Sequence, residues 1–129
     1  MFGCAGSGVY GGVGNTLHRK VAAAAEDIAD TTLAAVERGA KGLTLDLSAR
    51  LSFRAHFIPR ILMALEDPDW RSAWARERRY VLAYAEAMGL RAAIWAGRDG
   101  RRCITADDIE EAATRLRGYM PVAGRWCPS

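Results

Sequence analysis

Apolar residues recur at three- and four-residue intervals along most of this chain, a spacing that places them on one side of an α-helix. Glycine or proline separates four stretches with this pattern, which cover residues 17–36, 51–65, 70–95 and 109–120. Only Leu43, Leu45 and Leu47 alternate with polar residues as a strand would, and one isolated strand has nothing to pair with. The sequence therefore predicts an all-α fold, a compact bundle of four or five helices, with an extended connector at residues 43–47.

Capping and breaking residues predict the ends of these helices. Capping residues predict helix starts at Thr16, at Asp46 or Ser48, at Asp67 followed by Pro68, and at Thr105. Breaking residues predict an end at Gly39 and Gly42, a kink or restart at Pro59, an interruption at Gly89, and a stop at Gly118 and Pro121. The core is predicted to contain Leu62, Trp74, Val81, Ile109 and Leu116.

Length and glycine content predict the domain organisation. A chain of 129 residues is expected to form one domain. Residues 3–14 contain six glycines, too many for a regular helix or strand. We therefore predict a glycine-rich flexible arm over residues 1–15, a single helical domain over 16–120 and a C-terminal tail over 121–129. The arm and tail are expected to be disordered or to order against a partner subunit.

Cysteine usage and hydropathy bear on the compartment. Cys4, Cys103 and Cys127 are odd in number and widely spaced, which disfavours a disulfide framework or a tetrahedral zinc site. No stretch approaches the roughly 20 apolar residues of a membrane span, and the N-terminus lacks the pattern of a secretory signal. A cytoplasmic protein with no membrane partner is expected.

Arginine and large aromatic residues are interleaved over residues 50–102. This segment contains eleven arginines and six acidic residues, a net charge of +5. Guanidinium groups are planar and permanently charged, so they bind phosphates through two hydrogen bonds and stack on bases. The predicted nucleic-acid-binding residues are Arg71, Arg76, Arg78, Arg79, Arg101 and Arg102. The alternative is that these arginines pair with acids such as Glu77 and Glu86, as surface charges commonly do.

The aromatic residues of this region have two readings. Trp70, Trp74 and Tyr84 form a one-sided stripe at helical spacing, which favours the core over base stacking. Tyr80, Trp95 and Trp126 lie off this stripe and are the better candidates for exposed contacts.

Motifs for catalysis are weak. Gly6, Gly8 and Gly11 match the glycine spacing of a dinucleotide-binding loop, but no strand precedes them and no βαβ unit follows. His18 and His56 lie on separate predicted helices, and no nucleophile motif accompanies either. Adjacent acidic residues point about 100 degrees apart on a helix, which favours caps and solvated faces over metal ligands. We therefore expect no enzyme activity and no cofactor.

A compact, basic, all-helical chain of this length without an active site resembles the small subunits of CRISPR effector complexes. The resemblance is one of architecture and depends on no short motif. It implies several copies beside a filament of larger protein subunits, with arginine-rich helix surfaces facing guide or target RNA or DNA. That role would fall to the six arginines named above, without sequence specificity.

A second resemblance covers residues 81–117. A long helix, a basic turn and the run from Ile104 to Ala112 are similar to the end of a histone-type fold or the lid of an AAA ATPase. This resemblance implies a DNA-binding histone-like module or a protein-docking adaptor. Both readings remain open at this point, and a small enzyme has no supporting constellation.

Overall fold

The computed structural model describes residues 13–116 and 126, with side chains from residue 19 onward. Residues 13–116 contain four helices and two short strands. In chain order these are α1 (Val13–Gly39), β1 (Thr44–Leu45), α2 (Leu47–Ala64), α3 (Trp70–Arg98), β2 (Cys103–Ile104) and α4 (Ala106–Leu116). The predicted all-α helical bundle is confirmed. Residues 1–12 of the predicted arm and most of the predicted tail lie outside the described residues.

The two strands correct the prediction for residues 43–47. β1 pairs in parallel with β2, with Thr44 opposite Cys103 and Leu45 opposite Ile104. The extended segment does have a partner, which lies about sixty residues further along the chain. Asp46 continues the pairing because its backbone N–H donates to the carbonyl of Ile104 at 3.0 Å. The pairing joins the start of α2 to the start of α4.

Helices α1 and α3 cross at two glycines. A Cβ added at Gly39 would collide with the backbone carbonyl of Glu86, and one added at Gly89 would collide with the carbonyl of Val36. Both glycines are buried, and α3 runs through Gly89 without a break. The predicted interruption at Gly89 is therefore wrong. The glycine is explained by close helix packing and not by a helix end.

The ends of α1 and α2 follow the predictions in part. α1 begins at Val13, three residues before the predicted cap at Thr16, and ends at Gly39 as predicted. Asp46 caps α2, since its side chain accepts a hydrogen bond from the N–H of Ala49 at 2.8 Å. α2 continues through Pro59 without restarting. Pro59 is exposed, so the carbonyl that loses its helical partner can bond to water.

The start of α3 is later than predicted. Asp67 and Pro68 form a turn in which the Asp67 side chain accepts from the N–H of Asp69 at 2.9 Å. The helix then begins at Trp70, two residues beyond the expected first position. Asp67 still organises the chain before the helix, but through a local turn.

One hydrophobic core lies between the four helices, and it contains most of the residues predicted for it. Val81, Ile109 and Leu116 are buried as predicted, whereas Trp74 is partly buried and packs against the core. The prediction that Leu62 is buried is wrong, because 40% of its surface is exposed. α2 turns another face inward, which carries Ala49, Phe53, Phe57, Ile61 and Ala64.

Candidate nucleic-acid interface

Four of the six predicted phosphate-binding arginines lie together on the N-terminal half of α3. Arg71, Arg76, Arg78 and Arg79 are all exposed, and they span about 12 Å along the helix axis. At 100 degrees per residue they occupy an outward arc of about 160 degrees. Buried Ala73, Val81 and Tyr84 hold the opposite side of the helix against the core. The sequence pattern and the packing together direct these guanidinium groups to solvent.

These four arginines make no salt bridge within the described part of the chain. Salt bridges there are made by other arginines, among them Arg38, Arg50, Arg54, Arg101 and Arg115. Glu86, one of the acids considered as a partner for Arg76 and Arg79, pairs with Arg38 at 3.4 Å. The positive charge of this arc is therefore available to an external anion.

Aromatic rings orient two members of the arc. The Arg71 guanidinium lies 4.6 Å from the ring centroid of Trp70, and that of Arg79 lies 4.7 Å from the ring of Tyr80. Arg79 also donates to the Tyr80 hydroxyl at 2.7 Å. Both rings are partly buried, so they form a fixed support for the charges. A guanidinium held this way loses less entropy when it binds a phosphate.

Arg101 has a different environment. Its two terminal nitrogens donate to both oxygens of Asp108, at 2.7 and 2.9 Å, and one of them also donates to Asp99 at 3.0 Å. Asp108 is only 4% exposed and also accepts from the N–H of Thr105 at 2.9 Å. The hydrogen bonds from Arg101 hold the pKa of the Asp108 carboxyl below its usual value. Arg101 thus joins the turn before β2 to the first turn of α4.

Arg102 is exposed but distant from the arc on α3. It lies beyond the C-terminal end of that helix, and the helix rises about 28 Å over the nineteen steps from Arg79 to Arg98 alone. The six predicted residues therefore divide into a cluster of four, one internal ion-pair residue and one separate exposed arginine.

A charged cleft near Arg101 was not predicted from the sequence. It has a volume of about 530 Å³ and is lined by Trp95, Asp99, Arg101, Thr105, Asp107, Asp108 and Glu111. The guanidinium groups of Arg98 and Arg115 each lie 5.0 Å from the ring centroid of Trp95. Glu111 accepts from Arg115 at 3.2 Å, so much of the charge in the cleft is compensated internally. Its lining residues all lie between Trp95 and Glu111, at the end of α3, in the turn that follows and at the start of α4.

The three aromatics proposed for exposed contacts differ. Tyr80 and Trp95 are half-buried, and each supports an arginine. Trp126 is fully buried, and its ring centroid lies 5.1 Å from that of Trp74. Trp126 is therefore a packing residue, which corrects the expectation of an exposed contact.

The histidines and the acidic groups were the other candidates for chemistry. His56 is half-buried on α2, and the side chain of His18 lies outside the described residues. Among the residues that the structure describes, no group of three or more His, Cys, Asp or Glu is placed to hold a metal ion. None of the described helices is both long enough and apolar enough to cross a membrane.

Comparisons with family models, with curated proteins and with solved structures return no significant match to this chain. Function is therefore inferred from the surface of the molecule. The arginine arc on α3 is the strongest candidate for a functional surface in the described part of the chain, because it combines exposure, charge without an acidic partner there, and aromatic support.

Proposed function

We propose that the protein is a non-catalytic subunit of a larger ribonucleoprotein and binds the backbone of RNA or DNA through Arg71, Arg76, Arg78 and Arg79. The observation that carries this proposal is the absence of acidic partners for these four exposed arginines within the described residues. The arc is long enough for roughly three to four phosphates at the 3.4 Å axial spacing of one strand of a duplex. Backbone contacts carry no base readout, so binding is independent of sequence.

The resemblance to the small subunits of CRISPR effector complexes supplies the finer form of this proposal. In that form, several cytoplasmic copies lie beside larger protein subunits, and α3 faces guide or target nucleic acid. Arg102 is an additional contact at the far end of α3. Arg101 is left out of the surface because Asp99 and Asp108 already occupy its donors.

A histone-like or AAA-lid-like module is the second candidate. The observation that favours it is the order of elements at the end of the chain: the long helix α3, a turn, the strand β2 paired in parallel with β1, and the capped helix α4. This candidate uses the same arginines on duplex DNA, or replaces nucleic acid with a protein partner. A preference for duplex DNA over single-stranded RNA would favour it.

Salt-dependent binding tests the proposed surface. With four phosphate contacts on a single strand, log affinity is expected to fall against log salt with a slope of about −2.8, or roughly 50-fold between 50 and 200 mM. Arg78→Ala combined with Arg79→Ala should flatten the slope by roughly 1.4 and weaken binding equally for unrelated oligonucleotide sequences.

A matched control removes the same two charges from arginines that have acidic partners. Arg38→Ala with Arg115→Ala changes net charge equally, but both side chains are engaged in salt bridges with Glu86 and Glu111. This control should keep nearly the full slope. Equal losses of affinity in the two double variants would show that only net charge matters and would contradict the proposed surface. If the unmodified protein does not bind nucleic acid at low salt, the protein-docking adaptor replaces the proposal.

A further inference from the structure

Helix α2 has a second apolar face that the described residues leave largely exposed. Leu47, Leu51, Ala55, Ile58 and Leu62 lie within an arc of about 80 degrees and span about 22 Å. Leu47 is 69% exposed, Leu51 57% and Leu62 40%. The buried face, which includes Phe53, Phe57 and Ile61, is on the opposite side, toward α1 and α4. Ala55 is also exposed, whereas Ile58 is partly buried and packs against the core. These five residues, the α2 stripe, form a largely exposed apolar surface of the kind that marks a binding partner.

The spacing of the α2 stripe matches a second copy of itself in the antiparallel direction. Counted from Ala55, the large residues stand at −8, −4, +3 and +7, so reversal of the helix nearly reproduces the pattern. A two-fold axis near Ala55 places Leu47 opposite the other copy's Leu62, and Leu51 opposite its Ile58. The small side chain at the centre lets the two helices approach closely. Such a self-complementary patch is what a two-fold interface requires.

The charges beside the α2 stripe favour the same occupant. Arg54 donates to both carboxylate oxygens of Glu26 at 2.7 and 2.9 Å, and Arg50 donates to Glu37 at 2.7 Å. Each rim charge is therefore compensated within its own chain, so a second copy does not bring uncompensated like charges together. In such a dimer the Arg54–Glu26 ion pair of one copy lies next to the same ion pair of the other copy. The four charges can then be arranged with opposite signs adjacent. A strongly acidic or basic partner would find no net charge to match on this rim.

From these observations we infer that two copies of the protein associate through the α2 stripe, with their α2 helices antiparallel. The interface has an apolar centre and a polar rim of internal ion pairs. A single helix pair is smaller than the roughly 1,600 Å² of a standard interface, so the dissociation constant is expected on the order of 10 µM. The stripe is on a different helix from the arginine arc, so this inference does not depend on nucleic-acid binding.

Sedimentation velocity on the full chain without nucleic acid, from about 1 to 200 µM, tests the association. Leu51→Glu should raise the dissociation constant at least about 30-fold, because each dimer would bury two unpaired carboxylates. Leu47→Glu should act the same way and covers the case in which the first variant folds poorly. Leu90→Glu is the matched control, since Leu90 is 42% exposed on α3, away from the stripe, and should leave the dimer intact.

A cysteine at the two-fold axis tests the orientation. In a background with Cys4→Ser, Cys103→Ser and Cys127→Ser, Ala55→Cys should form a disulfide-linked dimer, because residue 55 meets itself. Ala83→Cys, an exposed position on α3, should not. A protein that stays monomeric at 200 µM would assign the stripe to another occupant and overturn the inference. A dimer that resists Leu51→Glu and Leu47→Glu would overturn it equally.

Discussion

At the scale of single residues, Asp108 illustrates how a buried carboxylate can serve structure beside a basic turn. It is nearly fully buried, and it accepts hydrogen bonds from Arg101 and from the N–H of Thr105. The Thr105 and Asp108 spacing is that of a capping box, in which the side chain three residues into a helix bonds back to the cap residue. Arg101 thereby stabilises the fold through its own charge, which explains why an arginine in a basic turn need not contact nucleic acid.

Removal of this carboxylate should destabilise the protein. Asp108→Ala leaves Arg101 and the Thr105 N–H without their acceptor, so the free energy of unfolding at pH 7 should fall by about 2 kcal/mol. Asp107→Ala is the control. Asp107 is the exposed neighbour of Asp108, so its replacement removes the same charge but should lower the free energy of unfolding by no more than about 0.5 kcal/mol. Urea denaturation measures both. Similar losses in the two variants would contradict the structural role of Asp108.

The lowered pKa of Asp108 also predicts how stability depends on pH. A carboxyl whose pKa is lower in the folded state stabilises the fold above its unfolded pKa, and this contribution is lost as pH falls through the folded pKa. Hydrogen bonds from Arg54 and from Ser48 lower the pKa values of Glu26 and Asp46 in the same direction. The melting temperature should therefore drop progressively from about pH 5 downward. Asp108→Ala should make this fall in melting temperature with pH less steep. If the pH dependence is unchanged in the variant, the Asp108 carboxyl does not contribute to it.

At the scale of helices, the crossing of α1 and α3 depends on glycines for space and not for backbone freedom. Gly89 contacts the backbone of α1 within an uninterrupted helix, and Gly39 makes the reciprocal contact with α3 at Glu86. A glycine in a helix interior costs about 1 kcal/mol relative to alanine. That cost is offset here by the close approach of two long helices.

Two glycine substitutions on the same helix separate propensity from packing. Gly89→Ala should lower the free energy of unfolding by at least about 2 kcal/mol, because its Cβ meets the Val36 carbonyl. A Cβ added at Gly97 meets nothing within 4 Å, so Gly97→Ala should raise the free energy of unfolding by about 0.5 to 1 kcal/mol. Thermal melts followed by circular dichroism compare them. A stabilised Gly89→Ala variant would mean that the helices are further apart than described.

At the scale of the whole molecule, Trp126 packs against the N-terminal half of α3, a helix that is distant from it in sequence. Its ring packs on Trp74, and its indole nitrogen is buried with no hydrogen-bond partner among the described residues. Trp74 lies three residues beyond Arg71, on the same helix as the arginine arc. The contact therefore supports the helix that carries the proposed interface.

Two substitutions at Trp126 test this contact. Trp126→Ala should lower the free energy of unfolding by about 3 kcal/mol, because it removes a large buried side chain. Trp126→Phe keeps much of the apolar contact and removes a buried N–H that has no acceptor, so it should cost far less. Chemical denaturation with Trp74→Ala as the second arm of a double-mutant cycle measures the coupling between the rings. A neutral Trp126→Ala variant would show that the tryptophan does not contribute to the core.

The local pattern of the sequence was sufficient for some properties of this protein. Helix spacing predicted the all-α bundle, and capping and breaking residues placed the start of α2 at Asp46 or Ser48 and the end of α1 at Gly39 and Gly42, because caps and amphipathic faces act over a few residues. Whether Arg71, Arg76, Arg78 and Arg79 are exposed was left open by the sequence, and the packing of Val81 and Tyr84 into the core decided it.

Other properties depend on contacts between segments distant in sequence, and only the tertiary structure decided them. The pairing of β1 with β2 joins residues about sixty positions apart, and Gly89 is explained only by the backbone of α1. α2 has two apolar faces, so periodicity could not decide whether Leu62 or Ile61 is buried. The neighbours of Arg101 removed it from the exposed arginines for the same reason: burial and charge compensation are set by what packs nearby, and local sequence does not contain that information.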